Sequence, residues 1–374
     1  MNLIFIVMDG ARVDHIVNGT NYSKLIEKSL FCSKVITYAP YTIAALHAVF
    51  TGTYGHKTGV NSYWSSPYFK KDQFKTLTSY LHDDGYVTYG DVINKLVLPK
   101  IGFDDLVIHD ELKDNLTERH IELLNKVNNI KKAGKKFFLY LHYSNIHTGI
   151  MENVLKKYNN FSKEYFSNKG ENKKYYSELF EKADQYLAKI IQHAEDLGLT
   201  EDTLIVIISD HGISIGEKFG ERAYGVFCYD YTLISTALFY NKNIKPQQIR
   251  QQVRSIDILP TILEILSISQ DPKYEKMHGQ SLLPFTSSSK EPRLAFSQSG
   301  NPLNNDKPPK EPNVYAIRTD EWKFIMNTHD KTEELYDLRN DPHENNNVID
   351  EYESKAEELR LELARILNDN DLKY

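Results

Sequence analysis

The segment Leu204-Ile205-Val206-Ile207-Ile208-Ser209-Asp210-His211-Gly212 constrains the fold of this chain more than any other. An unbroken apolar run behind the polar Glu201-Asp202-Thr203 reads as a parallel strand buried on both faces. It ends in a carboxylate beside an imidazole, at the sheet end where open α/β folds place their ligands. That donor pair suits a divalent metal, and Gly212 permits a tight turn there. A second strand, Asn2 to Met8, is also apolar and discharges Asp9-Gly10. If the two strands are neighbours, Asp9 and Asp210 meet at one sheet edge. Two adjoining carboxylates are costly without a cation between them.

The rest of the chain reads as α/β, a mainly parallel central sheet with helices on both faces. Helices are expected near 23–30, from Thr42 to Phe50, over 77–84, 115–132 and 174–197, and strands at Tyr86–Tyr89 and Lys136–Leu141. Gly52 punctuates the end of the Thr42 helix. The character changes near residue 286, where polar, proline-bearing loops give way to short strands at Val314–Arg318 and Lys323–Met326 and a closing helix at about 351–367. This divides the chain into a catalytic domain, 1–286, and a small antiparallel C-terminal subdomain, 287–374.

A net charge of −6 gives no electrostatic footprint for nucleic acid, and the 25 tyrosines and 17 phenylalanines are scattered, as core packing requires. No run approaches the ~20 apolar residues of a membrane span. The two cysteines, Cys32 and Cys228, form no CxxC pair, and the first core strand begins at residue 2 without a leader-like segment. These features set the expectation of a cytoplasmic protein. Its oligomeric state is not encoded legibly.

Seven segments in order resemble the sulfatase-like branch of the alkaline phosphatase superfamily: Ile4–His15, Thr42–Gly52, Leu77–Thr88, Ser209–Gly212, Asp257–Leu266, His278–Pro284 and Glu334–Glu344. The resemblance implies Thr42 at the nucleophile position and a metal held by Asp9, Thr42, Asp210 and His211. It implies His147 facing the leaving group and a cation for substrate oxygens from Arg222 or Lys218. Classical sulfatases oxidise a cysteine or serine to formylglycine at the nucleophile, and they carry a second early aspartate where this chain has Gly10. With threonine there, the chain is more similar to superfamily members acting on phosphate esters, phosphodiesters and phosphonates, including phosphoglycerol and phosphoethanolamine transferases.

The expected function is therefore metal-dependent hydrolysis or transfer of a small-molecule or glycan-linked phosphoester through a covalent Thr42 intermediate. Sulfuric ester hydrolysis and a catalytically silent copy of the fold are the alternatives. The mixed carboxylate and imidazole donors favour Zn²⁺ or Mn²⁺ over Ca²⁺, which prefers all-oxygen shells. His142 reads as structural, Arg12 and Asp14 fit a buried ion pair, and Lys57 is a minor substrate-contact candidate. Thr42 could also serve merely as a helix N-cap.

Overall fold

In the computed structural model, residues 1–283, 293–300 and 309–368 are described. A nine-stranded sheet forms the centre. Its strands are β1 (Asn2–Met8), β2 (Leu30–Ile36), β3 (Val87–Val92), β4 (Asp105–Ile108), β5 (Phe137–Tyr143), β6 (Thr203–Ile208), β7 (Ile234–Tyr240), β8 (Gln247–Ile249) and β9 (Val253–Arg254). The order is β4-β3-β5-β1-β6-β7-β2-β8, with β9 also paired to β2, and only β7 runs against the others. The apolar strands β1, β5 and β6 lie side by side, with Val7 opposite both His142 and Ile208. Asp9 and Asp210, each two residues further on, therefore emerge together, as the paired strands require.

Side chains alternate across this sheet because the strand period is two. Ile4, Ile6, Leu139, Leu141, Ile205 and Ile207 pack on one face against Leu124 of the Leu116–Lys132 helix and Tyr176, Phe180 and Leu187 of the Lys169–Asp196 helix. Phe5, Val7, Phe138, Tyr140, Val206 and Ile208 pack on the other against Leu46, Val49 and Phe50 of the Thr42–Thr51 helix and Leu259 and Ile262 of the Ile258–Leu266 helix. Each such side chain contributes about 1.5–3 kcal/mol on burial. Covered on both sides, the strands can be apolar throughout, which is why their sequence runs are unbroken.

A second sheet comprises β10 (Ala295–Ser299), β11 (Val314–Arg318), β12 (Trp322–Asn327) and β13 (Thr332–Asp337), all antiparallel. Phe296, Ile317, Phe324 and Leu335 from this sheet meet Tyr41, Ala44 and Ala48 at the Thr42 helix and Leu359, Leu363 and Ile366 of the closing Glu353–Asn368 helix. The small lobe thus packs against the helix that presents Thr42. The expected domain boundary at 286/287 and Pro284 fall outside the described residues.

Several boundaries differ from expectation. The helix expected at 23–30 spans Thr20–Ile26, because Leu30 already pairs in β2. The strand expected at Tyr86–Tyr89 begins at Val87 and runs to Val92, held by β4 and β5 on either side. The helix expected from residue 174 begins at Lys169, in a polar turn with no apolar period to read.

Candidate active site

Thr42 is the first residue of its helix, and Tyr41 occupies the cap position without a side-chain cap bond. The N-cap alternative for Thr42 is therefore not what the structure shows. Its Oγ1 donates to Asp9 Oδ2 at 3.3 Å and lies 3.4 Å from His211 Nε2. Gly52, at φ 62°, closes the same helix in the left-handed region, as the sequence predicts.

Asp9, Asp210 and His211 are all buried, and their ligand atoms lie within 4.8 Å of one another. Asp210 Oδ1 accepts the N–H groups of Gly10 and His211 at 3.1 and 2.9 Å. Asp9 Oδ2 accepts from Thr42 and faces His142 Nε2 at 3.0 Å. The other two oxygens, Asp9 Oδ1 and Asp210 Oδ2, are buried without a hydrogen-bond partner. His211 Nδ1 donates to the Gly212 carbonyl at 2.8 Å, leaving Nε2 as a ligand atom 3.7 Å from Asp9 Oδ1 and 3.5 Å from Asp210 Oδ2. Two bare carboxylate oxygens and one available imidazole nitrogen, converging in a buried space, fit a divalent cation.

The electrostatics agree with that fit. Burial works to raise the Asp9 carboxyl, but the charge of His147, the His142 hydrogen bond and His211 outweigh it and hold Asp9 well below the usual carboxylate range. Asp210 is pushed up, first by burial and then by Asp9 beside it. A cation between them removes that conflict.

A cavity of about 230 Å³ opens beside Asp9 and Thr42. Glu111, His147 and Asn94 are its other polar lining residues, and Ile43, Ile93, Leu96, Val97, Tyr63 and Tyr224 supply the rest. Among the described residues, no lysine or arginine lines it. His147 stands on the short Asn145–Ile150 helix after β5, with Nδ1 3.5 Å from Glu111 Oε2 and its ring 5.7 Å from that of Tyr224.

The structure thus brings Asp9, Thr42, His147, Asp210 and His211 together. Arg222 is buried near enough to Tyr224 to act on its phenol, but it does not line the cavity. Lys218 points away: it donates to the Glu344 carbonyl and lies over the rings of Tyr229 and Tyr336. This corrects its assignment as a substrate cation. Arg12 pairs with Asp14 at 2.9 Å and Glu217 at 2.7 Å, an ion-pair role. Lys57, on the short Gly55–Thr58 helix, is not on the cavity wall. His142 is more than structural packing, since it touches a candidate metal ligand. Glu111, Asn94, Tyr63 and Tyr224 were not singled out from sequence, because the loops that carry them have no period to read.

With this geometry in place, the comparisons with known proteins become specific. The Sulfatase family model matches residues 1–268. The chain belongs to the sulfatase family. The family model described as N-sulphoglucosamine sulphohydrolase, C-terminal, matches residues 222–372. Over 208 residues the chain is 27% identical to arylsulfatase K of Canis lupus familiaris, a match covering 52% of this chain and 36% of that relative. The chain therefore spans only about a third of the length of such relatives.

Among solved structures, one determined in complex with its substrate D-glucosamine-2-N,6-O-disulfate has a TM-score of 0.75 at 17% identity, covering 99% of this chain and 98% of that one. The phosphonate monoester hydrolase of Agrobacterium radiobacter has a TM-score of 0.73 at 15% identity, covering 99% and 97%. These two likenesses establish the fold, an alkaline phosphatase-like sheet with its small C-terminal sheet. The relatives carry sulfatase names, whereas the residues alone had set sulfuric esters second to phosphoesters.

Proposed function

We propose that this chain is a metal-dependent hydrolase of sulfuric esters that uses Thr42 as its nucleophile. The observation that carries the reading is the Thr42 hydroxyl, placed at a helix start within 3.4 Å of both Asp9 and His211, beside two carboxylate oxygens without partners. Asp9, Asp210, His211 and the Thr42 oxygen would hold the ion. When bound, the ion supplies positive charge that lowers the pKa of the Thr42 hydroxyl and offsets the charge of the ester oxyanion. One imidazole among oxygen donors supports Zn²⁺ or Mn²⁺, although family members usually hold Ca²⁺ or Mg²⁺.

Thr42 Oγ1 releases its proton to solvent and attacks the sulfur, and the bond to the leaving oxygen breaks as the new one forms. His147 gives that oxygen its proton. Water then attacks the sulfur of the Thr42 ester, returning a proton to His147; the freed Thr42 oxygen takes a proton back from solvent as the inorganic anion leaves. The apolar wall of Ile43, Ile93, Leu96 and Val97 suits an uncharged leaving group, whether a free small molecule or the end of a glycan. Arg222 would act at longer range, on substrate oxygens near Tyr224. A cytoplasmic location belongs to the same proposal, supported by the two buried free thiols of Cys32 and Cys228.

Thr42 and Gly10 favour a second reading, cleavage of a phosphonate, phosphate ester or phosphodiester, because threonine cannot be converted to formylglycine. Protein loaded in turn with Mn²⁺, Zn²⁺, Ca²⁺ and Mg²⁺ should be offered matched nitrophenyl sulfate, phosphonate and phosphodiester. Sulfate turnover is the expected result. Turnover of phosphorus esters alone would establish the second reading, and turnover of none would identify a silent member of the fold.

A further inference from the structure

Glu111 lies in the loop between β4 and the Leu116–Lys132 helix, and the mechanism above gives it no part. It lines the cavity, and its Oε2 sits 3.5 Å from His147 Nδ1. The same oxygen accepts a hydrogen bond from Thr148 Oγ1 at 2.9 Å. Thr148 is tied back by its hydroxyl and its N–H to the Ser144 carbonyl, at 3.1 and 2.9 Å. Ser144 Oγ in turn meets His109 Nε2 at 2.9 Å, two residues before Glu111 in the same loop. Residues 109–111 therefore hold both sides of the helical turn that bears His147.

An imidazole that delivers a proton must keep its ring in one orientation as the leaving oxygen departs. His147 Nδ1 is buried without a hydrogen-bond partner, and Glu111 Oε2 faces it at 3.5 Å. A carboxylate facing Nδ1 leaves Nε2 as the nitrogen that can reach substrate. We propose that Glu111 is the positioning residue of His147, holding Nδ1–H so that Nε2 is presented to the leaving oxygen. This rests on the reading of His147 as the group that protonates that oxygen.

The charged groups acting on His147 are Asp9 and Asp210, from the ends of β1 and β6, and Glu111. Burial opposes its charged form, yet these carboxylates outweigh burial and raise it above an ordinary histidine. Glu111 is held below its ordinary value, chiefly by the His147 contact.

The test compares Glu111→Gln, Glu111→Asp and His147→Ala on two esters of whichever oxyanion the enzyme turns over. One ester has a nitrophenol leaving group, which departs without a proton, and the other a basic alkyl alcohol. Glutamine keeps an acceptor for Thr148, so melting temperature should be nearly unchanged. On the alkyl ester, His147→Ala should lose about 10²–10⁴-fold in kcat and Glu111→Gln roughly tenfold or more, with much smaller losses on the nitrophenyl ester. Glu111→Asp should recover part of the loss. A histidine-ring NMR spectrum needs no turnover and should show a slowly exchanging His147 Nδ1 proton that Glu111→Gln removes. If His147→Ala shows the leaving-group dependence and Glu111→Gln does not, or if the ring proton is unmoved by the substitution, the inference fails while the His147 reading stands. If His147→Ala shows no such dependence, the reading beneath it fails.

Discussion

Asp9 divides its two oxygens between opposite tasks. Oδ2 is held by Thr42 and His142, and Oδ1 is left bare toward His211. His142 is itself fixed by Tyr140 Oη, 3.0 Å from its Nδ1. Replacing it with glutamine should weaken divalent-metal affinity about 10–100-fold, the usual scale for a group that orients a ligand. Calorimetry on metal-free protein measures this directly, and an unchanged affinity would refute the role.

A second residue, Glu221, carries a pH signature. Burial pushes its carboxyl up to about 7, against hydrogen bonds from the Tyr231 hydroxyl and the Phe227 and Val226 N–H groups. In the unfolded chain it ionises near 4.5. Between those values the folded state binds more protons, so this group's stabilising contribution falls as pH rises through the window and is lost above it. Glu221→Gln should flatten that fall in a series of melting curves from pH 5 to 8. A wild-type curve no steeper than the variant's would contradict it. Neither residue's role was legible in sequence: β5 is buried on both faces, so alternation says nothing of where His142 points, and Glu221 gains its environment from residues up to ten positions away.

The elements that sequence disclosed were those with long, unbroken apolar signals. β1, β5 and β6 are continuous apolar runs, and each delivers its polar residue at the end, so Asp9, Asp210, His211 and His147 could be placed. The place of Thr42 at a helix start was legible because the helix after it is apolar and closed by glycine; its role as nucleophile came only from the resemblance. The short strands β8 and β9 carry too few residues for any period, and the loops that bring Glu111, Asn94, Tyr63 and Tyr224 to the cavity carry none at all.

Gly10 shows the same limit from the other side. Sequence reveals that an aspartate is missing there, but not why. The residue has φ 73°, and a Cβ would lie 2.6 Å from Ile213 Cδ1. Gly10→Asp should therefore destabilise the fold by about 1–3 kcal/mol rather than improve the metal site. Denaturant titration checks the cost, and a variant as stable as wild type would show that the turn can adapt.

Across the whole molecule, the two sheets are joined by a buried charge cluster. Asp230 takes Arg318 at 2.7 Å and Lys323 at 2.9 Å, and Lys323 also reaches Glu344 at 2.7 Å. All four residues are nearly inaccessible to solvent. Lys323→Met would leave two carboxylates underbalanced and should cost about 3–5 kcal/mol. Because the small lobe packs on the Thr42 helix, activity should fall with this loss of stability. Full activity in a destabilised variant would show the lobe to be dispensable for the site.

If Thr42 is the nucleophile, the turnover number of Thr42→Ala on the ester that the wild type cleaves best decides it. A loss of roughly 10⁴-fold or more is expected, as for other nucleophile removals, at a melting temperature close to that of wild type. Turnover within a few-fold of wild type would contradict it.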